Sequence, residues 1–230
     1  MAKITDGGQG QRHRPLRKHW GTALGMLLLA VLTVQLVEAG SRQGRQEQLV
    51  PILGVKTGQQ PTGTVAYLVV AFEERKDRDG LIVHFRNSPG KFSRLAQTSV
   101  EQAIRRTAHS LGLSTDSWTV DLSVPYPGVT IYGESLSAMM ALCVAALAKG
   151  ESVAPYLAIT GTITPDGRIG SVGSVPLKIT AANEAHLRHV LVPEDRDPGD
   201  GDYPLPFLMQ ITPVGSVHQA YAALTARVHD

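Results

Sequence analysis

Polar and apolar residues alternate along this chain in stretches that differ in period, and each period predicts an element. Thr64 to Phe72 is rich in β-branched and aromatic residues and reads as a strand. Leu81 to Arg86 reads as a second strand, joined to the first by the polar turn Glu73 to Gly80 in a hairpin-like arrangement. Thr98 to Leu113 places Val100, Ala103, Ile104, Ala108 and Leu111 near a helical period, with Gly112 at its end. Trp118 to Val124 alternates again and predicts a strand. Leu136 to Ala148 is apolar nearly all round, which marks a helix buried on most of its surface. Tyr156 to Thr164 and Arg168 to Val172 flank Pro165-Asp166-Gly167 and predict a hairpin. Lys178 to Leu187 predicts a helix, His189 to Pro193 a strand, Asp195 to Pro206 a loop, Phe207 to Ile211 a short strand and Ser216 to Ala226 a closing helix. Strands and helices mixed with hairpins indicate an α/β or α+β sandwich.

A separate pattern lies near the N-terminus. Trp20 to Val37 carries no charge, and Arg12, Arg14, Arg17 and Lys18 precede it. Eighteen helical residues span about 27 Å, close to the thickness of a bilayer core. The expectation is a transmembrane helix over residues 20–37, with the basic tail 1–19 in the cytoplasm and the remainder on the far side. A cleaved signal peptide is the competing reading, since Val37-Glu38-Ala39 has the small-residue spacing of a cleavage site. The protein is then single-pass at the cell membrane in the first case and secreted in the second. Residues 38–63, rich in Gln, Gly and Arg, read as a linker with a short ordered piece at Leu49 to Val55, and 64–230 as the folded domain.

Composition narrows the function. Hydrophobic residues make up 43% and charged residues 18%, a globular balance, and the formal net charge is only +2. With much of the basic excess near the N-terminus, no nucleic-acid surface is expected. Cys143 is the one cysteine, so the chain forms no internal disulfide. His186 and His189 lack the HExxH arrangement, and no metal or other cofactor is expected. There is no GxxxxGK[ST] phosphate loop, so any ATPase motor is expected on another chain.

Two residues carry candidate chemistry. Ser135 precedes the apolar helix in Gly133-Glu134-Ser135, and Lys178 lies in Gly173-Ser174-Val175-Pro176-Leu177-Lys178. A serine hydroxyl needs a base, and a lysine supplies one when burial lowers its pKa. The first-turn N–H groups of the helix would then face a substrate oxyanion. Each residue also has a commoner role. A serine before a helix usually caps it, Ser137 competes for both cap and nucleophile, and a helical lysine is usually solvated.

Taken in order, these segments resemble the proteolytic domain of the Lon family. Tyr132-Gly133-Glu134-Ser135-Leu136-Ser137 is similar to the family's Asp-Gly-Pro-Ser-Ala-Gly, and Thr160-Gly161-Thr162-Ile163 to its Thr-Gly-x-Ile strand. Gly173 to Ala182 matches Gly-Gly-x-x-x-Lys-x-x-Ala-Ala, followed by Val190-Leu191-Val192-Pro193 and Pro213-Val214-Gly215-Ser216-Val217. The resemblance implies a Lon-like fold and a serine endopeptidase acting on protein or peptide substrates. It implies Ser135 as nucleophile, Lys178 as general base, Thr160 orienting the lysine, and Gly133 and Glu134 lining the nucleophile turn. The closer likeness is to small membrane-bound peptidases that work without ATP, and the family's habit of forming rings implies a homo-oligomer. Departures stand at Leu136-Ser137, Ser174, Thr162 and a shortened loop between Asp121 and Ser135. They bear on groove shape and oxyanion geometry. The alternatives are a catalytically inactive domain serving as an interaction module, and an α/β-hydrolase using Ser135, Asp195 and His218.

Overall fold

The structure, a computed structural model, describes residues 44–56, 58–202 and 206–226. The apolar run at 20–37, with both its readings, lies outside the described residues. Among the described residues no helix is long and apolar enough to cross a membrane.

The first sheet has the strand order β1 (Arg45–Lys56), β2 (Thr62–Glu74), β5 (Trp118–Ser123), β3 (Ile82–Phe85). Strands β1 (Arg45–Lys56) and β2 (Thr62–Glu74) form an antiparallel ladder from Arg45 opposite Glu73 to Lys56 opposite Thr62. The ordered piece expected at Leu49 to Val55 is thus part of a longer strand. Its first residues are polar and exposed and read like a tether, while Val50, Ile52 and Leu53 are buried. Pairing with β2 supplies the order that the composition of this segment does not suggest.

The hairpin expected between β2 and the next strand does not form. Strand β5 (Trp118–Ser123) inserts between β2 and β3 (Ile82–Phe85), antiparallel to the first and parallel to the second. The turn after β2 therefore spans two strand spacings, roughly 10 Å. Arg75 bridges that gap. Its guanidinium donates to the carbonyls of Trp118 and Gly80, each at 2.7 Å, and to Thr119 Oγ1 at 2.9 Å. Asp121, nearly buried on β5, accepts from Arg45 at 3.0 Å and Arg86 at 2.8 Å.

Helix α1 (Arg94–Ser110) begins at Ser93, whose hydroxyl accepts from the Ala96 N–H at 3.2 Å. Its buried stripe of Ala96, Val100, Ala103, Ile104 and Ala108 follows the helical period. Helix α2 (Ser137–Ala148) is buried along every residue from Ser137 to Leu147. That is why its sequence shows no polar face. Together with α4 (Val217–Thr225), these helices form the main core against the first sheet.

The second sheet is parallel, in the order β11-β10-β7, with β7 (Leu157–Ile159), β10 (His189–Pro193) and β11 (Gln210–Val214). Its faces divide by alternation. Leu157, Ile159 and Leu191 enter the main core beside α2. Ala158, Val190 and Val192 enter a second core with Val175, Ile179 and Ala182 of α3 (Val175–Glu184). Strand β7 therefore lies between the helix that follows Ser135 and the helix that carries Lys178. Helix α3 starts at Val175 and ends at Glu184, where the sequence pattern suggested Lys178 to Leu187, so Lys178 sits near its N-terminal end. The last strand likewise falls at Gln210–Val214 and not at Phe207 to Ile211, leaving Phe207 and Leu208 exposed.

Candidate active site

The segment Tyr156 to Thr164 is not one strand. It runs as β7, breaks at Thr160-Gly161, and resumes as β8 (Thr162–Ile163), which pairs antiparallel with β9 (Ile169–Gly170). Gly161 adopts φ 155°, and a Cβ there would sit 2.8 Å from Ile169 Cγ2. The break frees two backbone groups for the serine turn. The Gly161 N–H donates to the Ser135 carbonyl at 2.9 Å, and the Gly161 carbonyl accepts from the Ala138 N–H at 3.2 Å.

Ser135 enters this turn from β6 (Thr130–Ile131), which pairs in parallel with β4 (Lys91–Phe92). Gly133 has φ 80°, a left-handed conformation that favours glycine, and it turns the chain between β6 and the serine. Glu134 is exposed, and its carbonyl accepts from the Ser137 N–H at 2.9 Å. The N-cap of α2 is Leu136, and no side chain caps it. Ser135 does not perform the commonest task of a serine in this position. It is half-buried, whereas Ser137 is buried at 2% exposure and points into the interior.

Two of the N–H groups at the start of α2 are taken. The Ser137 and Ala138 N–H groups at the start of α2 are already bonded to Glu134 and Gly161. Among the described residues the N–H groups of Ser135 and Leu136 have no backbone acceptor, and these remain to face a carbonyl.

Lys178 is 4% exposed. Burial pushes its pKa down to about 8, opposed by the negative charge of Asp200. Its Nζ donates to the Gly173 carbonyl at 2.9 Å, and no hydrogen bond joins it to Ser135 among the described residues. Helix α3 can approach β2 closely because residue 63 is glycine, since a Cβ there would collide with the Leu177 carbonyl.

Thr160 stands between the two. Its N–H continues the ladder to the Leu191 carbonyl at 3.1 Å. By alternation its side chain shares the face of Ala158, which packs with α3. The hydroxyl is buried at 1% exposure and Oγ1 has no hydrogen-bond partner. An orphaned hydroxyl in a core costs free energy and calls for a reason.

Asp200 is the residue the sequence reading missed. It lies in a loop rich in Asp, Gly and Pro, and its carboxylate accepts from the Ser174 N–H at 2.7 Å and the Val175 N–H at 2.8 Å. Those are orphan donors at the start of α3. Ser174 is left-handed, with φ 61°. This explains the family preference for glycine at that position, from which the sequence departs.

Other candidates are placed elsewhere. Asp195 pairs with Arg168 at 3.4 Å and His218 is exposed on α4. Burial pushes the Cys143 thiol up to about 12, as suits a core residue. A groove of about 560 Å³ runs past Gln48, Leu49, Leu147 and Val153, and it does not touch Ser135 or Lys178.

Comparison with known proteins agrees with this architecture. The model of the Lon protease (S16) C-terminal proteolytic domain matches residues 88–223. Lon protease 2 of Sorangium cellulosum is 31% identical over 172 residues, covering 72% of this chain and 21% of that protein. Lon protease of Salinispora arenicola is 32% identical over 104 residues, 44% of this chain and 13% of its own length. Lon protease of Mycolicibacterium smegmatis is 28% identical over 131 residues, 55% of this chain and 17% of its own. The matches thus cover between 13% and 21% of the length of these relatives.

Proposed function

The chain belongs to the Lon protease (S16) C-terminal proteolytic domain family, and from that premise we propose that it is a serine endopeptidase with a Ser135–Lys178 dyad that cleaves protein substrates without ATP. The observation that carries the reading is Lys178. A lysine ammonium is rarely found at 4% exposure without a carboxylate bonded to it, and here its partner is a neutral carbonyl. That environment favours the neutral amine a general base requires.

The chemistry follows from the groups present. Ser135 Oγ attacks the substrate carbonyl carbon while Lys178 Nζ takes the hydroxyl proton. The developing oxyanion is stabilised by the N–H groups of Ser135 and Leu136. The C–N bond then breaks, and Nζ returns the proton to the departing amine. Water attacks the acyl-serine, giving a proton to Nζ, which passes it to Oγ as the acid leaves. In the resting arrangement Nζ is held on the Gly173 carbonyl. Keeping that bond, the neutral amine turns its lone pair toward Thr160 and Ser135. The unpartnered Thr160 hydroxyl is the acceptor that steadies it there, and such catalytic bonds often tighten only with substrate bound.

Cleavage without ATP is part of this proposal, and the nucleotide-free assay below tests it. Anchoring of the chain through residues 20–37, with the peptidase domain outside the cytoplasm, and assembly into a homo-oligomer belong to the same proposal. The test follows cleavage of an unfolded, fluorescently labelled protein by the full-length chain without nucleotide. Wild type cleaves, and Ser135→Ala and Lys178→Ala do not. Equal cleavage by all three would remove the dyad. No cleavage by wild type would favour the interaction-module alternative.

A further inference from the structure

Lys178 Nζ donates to a carbonyl that belongs to the turn before α3. Gly173 immediately precedes the left-handed Ser174, and α3 begins one residue later. The Lys178 N–H bonds back to the Ser174 carbonyl at 3.2 Å, and Lys178 Nζ to the Gly173 carbonyl at 2.9 Å. Both ends of the lysine thus lean on this turn. The turn in turn hangs on one carboxylate, because Asp200 takes the N–H groups of Ser174 and Val175 on its two oxygens at 2.7 and 2.8 Å.

We infer that Asp200 is a positioning residue for Lys178, its carboxylate fixing the Gly173-Ser174 turn whose carbonyl holds the amine. The inference rests on the dyad reading above. Two carboxylate oxygens matched to two adjacent N–H groups define the orientation of the peptide planes on either side of Ser174. Without them a serine in the left-handed region, strained by roughly 1–2 kcal/mol, has an incentive to relax and carry the Gly173 carbonyl with it. The carboxylate also adds a negative charge at the positive end of a helix, next to the lysine. Asp197 also faces this turn, with Oδ2 3.4 Å from where a Gly173 Cβ would be, and Asp195 and Arg196 line the same small cavity as Val175, Asp197 and Asp200. Leu53 and Val65, from the strands packed against α3, are uncharged.

The test uses the full-length chain carrying ¹³Cε-labelled lysine, with the Lys178 resonance assigned by Lys178→Arg. Two readings are taken across pH: the titration midpoint of Lys178, and the rate of adduct formation at Ser135 with a fluorophosphonate. Asp200→Asn removes the charge and one acceptor, and Asp200→Ser gives a second neutral background. Asp202→Asn, from the same loop and paired with Arg196 at 3.6 Å, is the control for loss of a loop charge away from the turn. The Lys178 midpoint moves down in both Asp200 variants, and the alkaline plateau of adduct formation falls roughly 10-fold, the size expected for a misplaced base. Asp202→Asn behaves as wild type. An unmoved midpoint or an unmoved plateau in the Asp200 variants overturns the inference. Absence of any adduct in wild type defeats the dyad reading instead, and a Lys178 midpoint unmoved in the Asp200 variants would then still overturn the inference.

Discussion

The Gly161 N–H donates to the Ser135 carbonyl at 2.9 Å, which couples the serine turn to the point where β7 ends and the chain leaves its sheet. One residue earlier, Thr160 faces the helix of Lys178. A single strand end therefore fixes the serine turn and packs against the helix of Lys178.

Gly161→Ala tests that coupling. The added methyl meets Ile169 Cγ2 at 2.8 Å, so either the hairpin or the serine turn shifts. A loss of about 1–3 kcal/mol in stability is expected, as for other overpacked sites. Chemical denaturation measures it, and the fluorophosphonate rate at Ser135 falls more than stability alone accounts for.

Thr160→Val separates structure from chemistry. The substitution keeps the shape and removes a buried hydroxyl without a partner. Stability is expected to hold or rise by a few tenths to about 1 kcal/mol, because no hydrogen bond is lost and a desolvated polar group is gone. Peptidase activity is expected to fall about 10-fold or more, less than the roughly 10²–10⁴-fold that a general base itself supplies. Thermal melting and cleavage rate, measured on one sample, give both numbers.

Lys178 imposes a pH dependence on folding as well as on activity. The folded chain releases this proton near pH 8 and the unfolded chain near the ordinary lysine value of 10.5. Between those values the unfolded state binds more protons, so stability rises with pH across that window. Below it the burial costs stability, on the order of 1–3 kcal/mol. Lys178→Met is expected to be inactive and more stable than wild type at pH 7, with the gain fading by pH 10.5. Urea denaturation at pH 7 and pH 10.5 checks the sign.

Ser174→Gly relieves a left-handed conformation, with φ 61°, at a position where the family carries glycine. A gain of about 1 kcal/mol is expected from relieved strain, less the greater entropy of glycine in the unfolded chain. Thermal denaturation measures it. Adduct formation at Ser135 is retained, since the Asp200 bonds use the backbone.

Much of this arrangement was legible in the sequence, for identifiable reasons. The all-apolar run after Ser135 could only be a central helix, and α2 is that helix. The order of Gly133, Ser135, Thr160 and Lys178 carried the family. What sequence periodicity did not show was long-range. Nothing in Leu81 to Arg86 reveals that β5 slips between it and β2, because alternation within a strand does not name its partner. The polar start of β1 hid a strand whose order comes from its partner. The break at Thr160-Gly161 reads locally as a continuous strand, since Thr and Ile on either side favour one. Asp200 sits in a loop whose composition signals only a turn, and its role appears when that loop folds back onto α3.

The most direct test of the dyad is to treat the full-length chain with a fluorophosphonate from pH 6 to pH 10 and map the adduct by mass spectrometry. The account predicts one adduct, on Ser135, formed at a rate that climbs through an apparent midpoint near the Lys178 value of about 8 and disappears in Lys178→Ala. An adduct on another serine, or a Ser135 adduct whose rate ignores both pH and Lys178→Ala, would contradict it.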